Sequence, residues 1–192
     1  MESKYLKIIQ VVSKIGKVLS TIVFVCCIVG AVGCLIGILS ISLMPNSLVI
    51  SGMQFSEFLQ KNAGINVGTV YASIIGAIIV CAGNAVISKM AQNYFKHELE
   101  AGTPFTDDGA KEMFKLAIFN ISISLGSAVI IAIVSAIMKN NFADYVKPDF
   151  SNASSIGMGL VFLLVSLLCH YGAELNKKTQ TGEVQEEIKT EE

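Results

Sequence analysis

Four apolar runs without a single charged residue, at 18–44, 68–88, 116–138 and 156–173, divide the chain. A helix crosses the roughly 30 Å hydrocarbon core of a bilayer with about 20 apolar residues, because each residue rises about 1.5 Å. All four runs approach or exceed that length, and none alternates apolar and polar positions as a half-buried strand would. The pattern predicts an all-α polytopic membrane protein with four transmembrane helices. The first run has lysines before it, as a secretory signal would. It is too long for a signal's apolar region and three more runs follow, so it is read as a span.

The intervening segments have distinct characters. Residues 1–17 interleave Lys4, Lys7, Lys14 and Lys17 with Leu6, Ile8, Ile9, Val11, Val12 and Ile15, a basic amphipathic lead-in suited to an anionic inner leaflet. In 45–67, Phe55, Phe58 and Leu59 share one face of a short helix expected at the membrane interface. Residues 89–115 form the longest charged interruption. From Glu174 to the end the chain is polar and acidic, and this tail, 174–192, is expected to be disordered.

Composition supports the membrane class. The 192 residues are 53% hydrophobic and 15% charged, whereas soluble domains are about a quarter charged. All 14 basic residues are lysines, and a net charge of −1 gives no general attraction to nucleic acid, so no direct nucleic-acid binding is expected. Cys26, Cys27, Cys34, Cys81 and Cys169 all lie within apolar runs, as small packing residues rather than disulfide or zinc ligands. Lysine asymmetry then sets orientation. Eleven lysines fall in the N-terminal segment, the central interruption and the tail, against Lys61, Lys139 and Lys147 in the other two loops. Both termini and the 89–115 loop are therefore expected in the cytoplasm: N-in, C-in, a multi-pass cell-membrane protein.

Within the spans, Gly33 and Gly37 have the spacing that lets two helices approach closely, a possible homodimer contact. Gly68, Ala72 and Gly76 repeat every four residues. Asn84 and Asn120 are expected at matching depth near the cytoplasmic boundary, with Thr21 and Ser166 at a similar level. They read either as an interhelical polar contact or as a polar vestibule for a solute. The spans contain no ionisable Asp, Glu or Lys, which favours the contact.

The central loop carries the clearest punctuation. Residues 93–99 extend the second span as helix, and Gly102 suits the left-handed residue that ends one. Pro104 fixes the turn and keeps Thr103 extended. Thr106 caps the next helix, with Asp107 and Asp108 placing negative charge on its positive end. Gly109 stands where a full capping box would have Glu or Gln. Phe105 is left over, either an internal staple or an apolar anchor for a partner.

The run Leu99-Glu100-Ala101-Gly102-Thr103-Pro104-Phe105-Thr106, with Gly172-Ala173-Glu174-Leu175 after the last span, resembles the YoaS-like family of bacterial four-span membrane proteins of unknown function. These have a cytoplasmic Gly-x-Pro-Phe-Thr loop and a closing Gly-x-Glu-Leu. This chain has Gly109 where the family tends to have Asn, lysines where it tends to have arginines, and Asn176-Lys177-Lys178 where it is acidic. The resemblance implies a membrane partner for a small cytoplasmic helix-turn-helix regulator, and it brings no activity with it.

Catalytic signatures are missing from the sequence. His97 sits among Lys96, Glu98 and Glu100 and reads as solvated, as do the clustered Glu98, Glu100, Asp107, Asp108 and Glu112. His170 and Glu174 share a helix face, but one His and one Glu make neither a metal site nor a triad. No nucleophile elbow, phosphate loop or dinucleotide fingerprint occurs. The expectation is a non-enzymatic protein without cofactor or metal. Its docking residues would be Gly102, Pro104, Phe105, Thr106, Glu174 and Leu175 on the cytoplasmic face. The alternatives are a small-solute or ion transporter, and an immunity protein against a membrane-active peptide.

Overall fold

The computed structural model describes residues 4–43, 49, 50, 52–54, 67–142, 145, 146, 148 and 153–190. The fold is all-α. Its four long helices are α1 (Lys4–Leu43), α2 (Val67–Ala101), α3 (Asp107–Asn141) and α4 (Ala153–Thr190), with a two-residue antiparallel ladder of β1 (Val49–Ile50) and β2 (Met53–Gln54) between α1 and α2. All four helices are long and apolar enough to cross a membrane. Pro104 and Pro148 fall between helices, where their missing N–H costs no ladder bond.

Helices outrun the apolar runs. α2 continues thirteen residues beyond Ser88 to Ala101, and α3 begins at Asp107, so most of the charged 89–115 segment is helical and only 102–106 is not. The expected interfacial helix around Phe55, Phe58 and Leu59 lies outside the described residues. α4 runs without a break to Thr190, through most of the segment expected to be a disordered tail. Glu, Gln and Lys dominate that stretch and are good helix formers, and Lys178 pairs with Glu174 one turn back at 2.9 Å. A polar composition that cannot build a core can still prolong a helix already nucleated by its apolar part.

The chain divides into two compact units. Unit 1 comprises Met1–Ile22, Ile87–Ser122 and Ala153–Glu192, and so takes one end of α1, α2 and α3 together with the whole of α4. Its core is Tyr94, Met113 and Leu116, with Ile87, Met90, Phe95, Phe162 and Val165 packed around them. Glycines let its helices close: a Cβ on Gly16 would meet the Phe95 ring at 2.6 Å, and one on Gly159 would meet Ile121 at 2.6 Å. Ser166 Oγ donates to the Ala110 carbonyl at 3.0 Å, joining α4 to α3.

Unit 2 comprises Val23–Val86 and Ile123–Asn152. Here Gly68, Ala72 and Gly76 are buried, as their four-residue repeat suggests, with Gly68 under the Phe142 ring. Gly83 lies under Ile123, and Thr69 Oγ1 accepts the Val146 N–H at 3.2 Å. The α1 segment packs loosely, with Val25, Val29, Val32, Ile36 and Leu39 all exposed. Nothing lies within 4 Å of the Gly33 Cβ position, and Gly37 meets Ile74 at 4.0 Å.

Candidate functional site

The site belongs to unit 1 and is built on the joint between α2 and α3. Gly102 takes φ +73°, a conformation that a Cβ would strain, and this ends α2. Thr103 Oγ1 accepts the Phe105 N–H at 3.2 Å, and Pro104 is buried. Thr106 Oγ1 accepts the Gly109 N–H at 3.0 Å while its carbonyl accepts Ala110 N–H at 3.0 Å, the N-cap arrangement that starts α3. Gly109 sits so tightly under this cap that an added Cβ would approach Thr106 Oγ1 to 2.9 Å. The residue that breaks the capping box is thus the one the turn has room for.

Phe105 points to α4. Its ring lies on Gly172, where any side chain would begin 2.4 Å from Phe105 Cδ1, and 39% of the residue remains exposed. The two motifs that stood 67 positions apart, Phe105 in one and Gly172 in the other, are therefore a single contact. Lys177 forms an ion pair with Asp107 across the same seam and holds that carboxyl below the usual carboxylate range. Ala173 is buried, whereas Glu174 and Leu175 face outward. Glu174 pairs with Lys178, which lowers its pKa, so its expected one-turn relation to His170 is not its main contact.

Behind the joint lies a polar cluster that the sequence reading placed in solvent. Glu98 is 9% exposed. Its Oε1 lies 2.8 Å from Ser13 Oγ of α1, and the Tyr94 hydroxyl also hydrogen-bonds it. Burial raises the Glu98 carboxyl above the ordinary range despite these two bonds, and burial followed by the Glu98 charge pushes the Tyr94 hydroxyl up. Ser13 Oγ also lies 2.9 Å from the Ile9 carbonyl. The Ser13 hydroxyl therefore has two acceptors within reach, the Glu98 carboxyl on α2 and the Ile9 carbonyl on its own helix. The signal for burial was present at 87, 91, 94 and 98, spacings of four, three and four that mark one helix face. It was obscured because the charge suggested solvent.

The chain matches no family model, no curated protein and no solved structure.

Beside the joint is a groove of about 530 Å³ walled by His97, Glu98, Glu100, Thr103, Pro104, Asp108, Lys111 and Glu112 among others. Carboxylates outnumber cations on it. His97 is not simply solvated: its Nδ1 lies 2.7 Å from Glu112 Oε1. Glu100 pairs with Lys96 and Asp108 with Lys111, both at 3.7 Å and both well exposed. Such pairs are worth little and exchange readily for other cations. Among the described residues no three His, Cys, Asp or Glu side chains converge as metal ligands. Ser13 lies against the Glu98 carboxyl, and Cys169 against the Tyr94 phenol.

The two asparagines differ. Asn120 is buried, its Oδ1 3.1 Å from where a Gly159 Cβ would stand, while Asn84, a unit 2 residue, is exposed.

Proposed function

We propose that this chain is a non-enzymatic membrane protein with both termini in the cytoplasm, which docks a soluble partner through the surface around Gly102–Thr106. The observation that carries the reading is the Phe105–Gly172 contact, which makes one rigid surface of the two most distinctive motifs in the sequence. The adjoining groove supplies the exposed carboxylates of Glu100 and Asp108, and the half-buried one of Glu112, to a basic segment of the partner. The resemblance to YoaS-like proteins points to a small helix-turn-helix regulator, and DNA-binding proteins carry the basic surface this groove would attract. Gly102, Pro104 and Thr106 act by shaping the turn, Phe105 by fixing it to α4, and Glu174 and Leu175 by standing on the exposed side of the seam.

This division of roles decides the test. Replacing Pro104 and Phe105 would disturb the fold as well as the docking surface. A photo-crosslinker at Thr103, on the groove wall, is expected to yield a discrete adduct with a soluble protein in living cells. Lysine at Glu100, Asp108 and Glu112 together should abolish that adduct with membrane insertion unchanged. Adducts confined to this chain, or an adduct indifferent to the charge reversal, would overturn the reading.

A further inference from the structure

A second groove, which shares Lys111 and Lys115 with the acidic one but has no carboxylate on its wall, runs between α3 and α4. It encloses about 310 Å³ and is walled by Ala110, Lys111, Phe114, Lys115, Ser166, Leu167 and His170. Its floor is closed by the Ser166–Ala110 hydrogen bond, and Phe114 and Leu167, both about half exposed, form apolar sides. Every ionisable group on its wall is a potential cation, Lys111, Lys115 or His170, and no carboxylate lines it. The nearby carboxylates are paired, Asp107 with Lys177, Glu174 with Lys178, and Asp108 with Lys111 itself through an exposed 3.7 Å contact of the weak kind that a phosphate can replace. Lys115 immediately precedes the uncharged run 116–138, and His170 lies near the end of 156–173, so the cations stand at the end of the apolar surface and not in its middle.

We infer that this groove binds an anionic phospholipid of the inner leaflet, its phosphate against Lys111, Lys115 and His170 and an acyl chain along Phe114 and Leu167. A slot with apolar walls, whose only ionisable lining groups are potential cations, matches a molecule with one anionic end and one hydrocarbon end. A soluble acidic peptide would leave the slot unfilled, and a neutral lipid would leave the cations unmatched. Juxtamembrane lysines are attracted to anionic leaflets, and basic pockets between helices on the cytoplasmic side suit anionic headgroups. The inference rests on the membrane orientation, not on partner docking.

The test uses the full-length protein in mild detergent, mixed with equal amounts of phosphatidylglycerol and phosphatidylcholine, with retained lipid counted by native mass spectrometry. Phosphatidylglycerol should be retained in preference, and Lys111→Gln with Lys115→Gln should lower that preference about tenfold. Lys14→Gln with Lys17→Gln, on α1 outside the groove, should keep it. His170→Gln alone, an exposed change that leaves both lysines, should reduce it by a smaller factor. Equal retention of the two lipids, or an unchanged preference in both groove variants, overturns the assignment. Displacement of the lipid by inorganic phosphate alone also overturns it, in favour of a free-anion site. A lost partner adduct at Thr103 with lipid preference intact would sink only the docking reading.

Discussion

The two units solve helix packing in different ways. Unit 1 ties its helices with side-chain bonds between residues far apart in the chain: Ser13 to Glu98, Gln92 to Thr21, Ser166 to Ala110 and Lys177 to Asp107. Unit 2 sets Gly83 under Ile123 and Gly68 under Phe142, and its long-range bonds, Ser42 to Tyr71 and Val146 to Thr69, lie toward the end of the helices away from Gly83. Glycine packing permits close approach with little directional preference. Hydrogen bonds and ion pairs fix register, because each has a narrow range of distance and angle. The difference teaches where to look for function. A surface that must present the same face to a partner is better placed where register is fixed.

Substitutions centred on three positions would break or sharpen this contrast. The largest effect is expected at Gly172→Val, whose Cβ would enter the Phe105 ring. Overpacking of this kind costs about 1–3 kcal/mol. Thermal melts should show the loss, and Phe105→Ala in the same chain should restore most of it through the shared contact. Independent, additive losses would show that the two motifs are not coupled.

Glu98 comes next. Glu98→Ala leaves the Tyr94 and Ser13 hydroxyls without their buried partner, a loss of about 1–3 kcal/mol. Glu98→Gln has the opposite use. Because burial raises the folded carboxyl above its usual range, folding holds the proton more tightly than the unfolded chain does. The stability this contributes is full below the ordinary Glu range and is lost as pH rises through the raised value. Wild-type melting temperature should therefore fall in that window as pH increases toward neutral, and Glu98→Gln should flatten the slope. Glutamine keeps an acceptor oxygen for the Ser13 and Tyr94 hydroxyls but does not titrate. An identical slope in both proteins would place the pH dependence elsewhere.

The smallest effect on the fold is expected at Gly33→Ala in unit 2, where the added methyl meets open space. Stability should change by less than about 0.5 kcal/mol. Self-association measured in membranes should nevertheless fall, because the methyl stands on the face that carries Gly37. Unchanged association would remove the proposed Gly33–Gly37 dimer.

Much of this protein was determined by sequence alone. Four uncharged runs of spanning length dictate four helices, since a bilayer core leaves backbone groups no partner outside a helix or a closed barrel. The turn at Gly102–Thr106 was equally readable, because caps and turns depend on residues within four positions of one another: a left-handed glycine, a proline and a threonine that accepts its own helix's N–H. Tertiary structure alone decided the rest. Phe105 was ambiguous until Gly172 was brought under its ring, and Glu98 read as solvated until Ser13 and Tyr94 enclosed it. Lys177 likewise found Asp107 only through the approach of α4 to the start of α3. These pairs are separated by 67, 85 and 70 positions. Local propensity has no reach over such distances, and only the packed helices set which side chains meet.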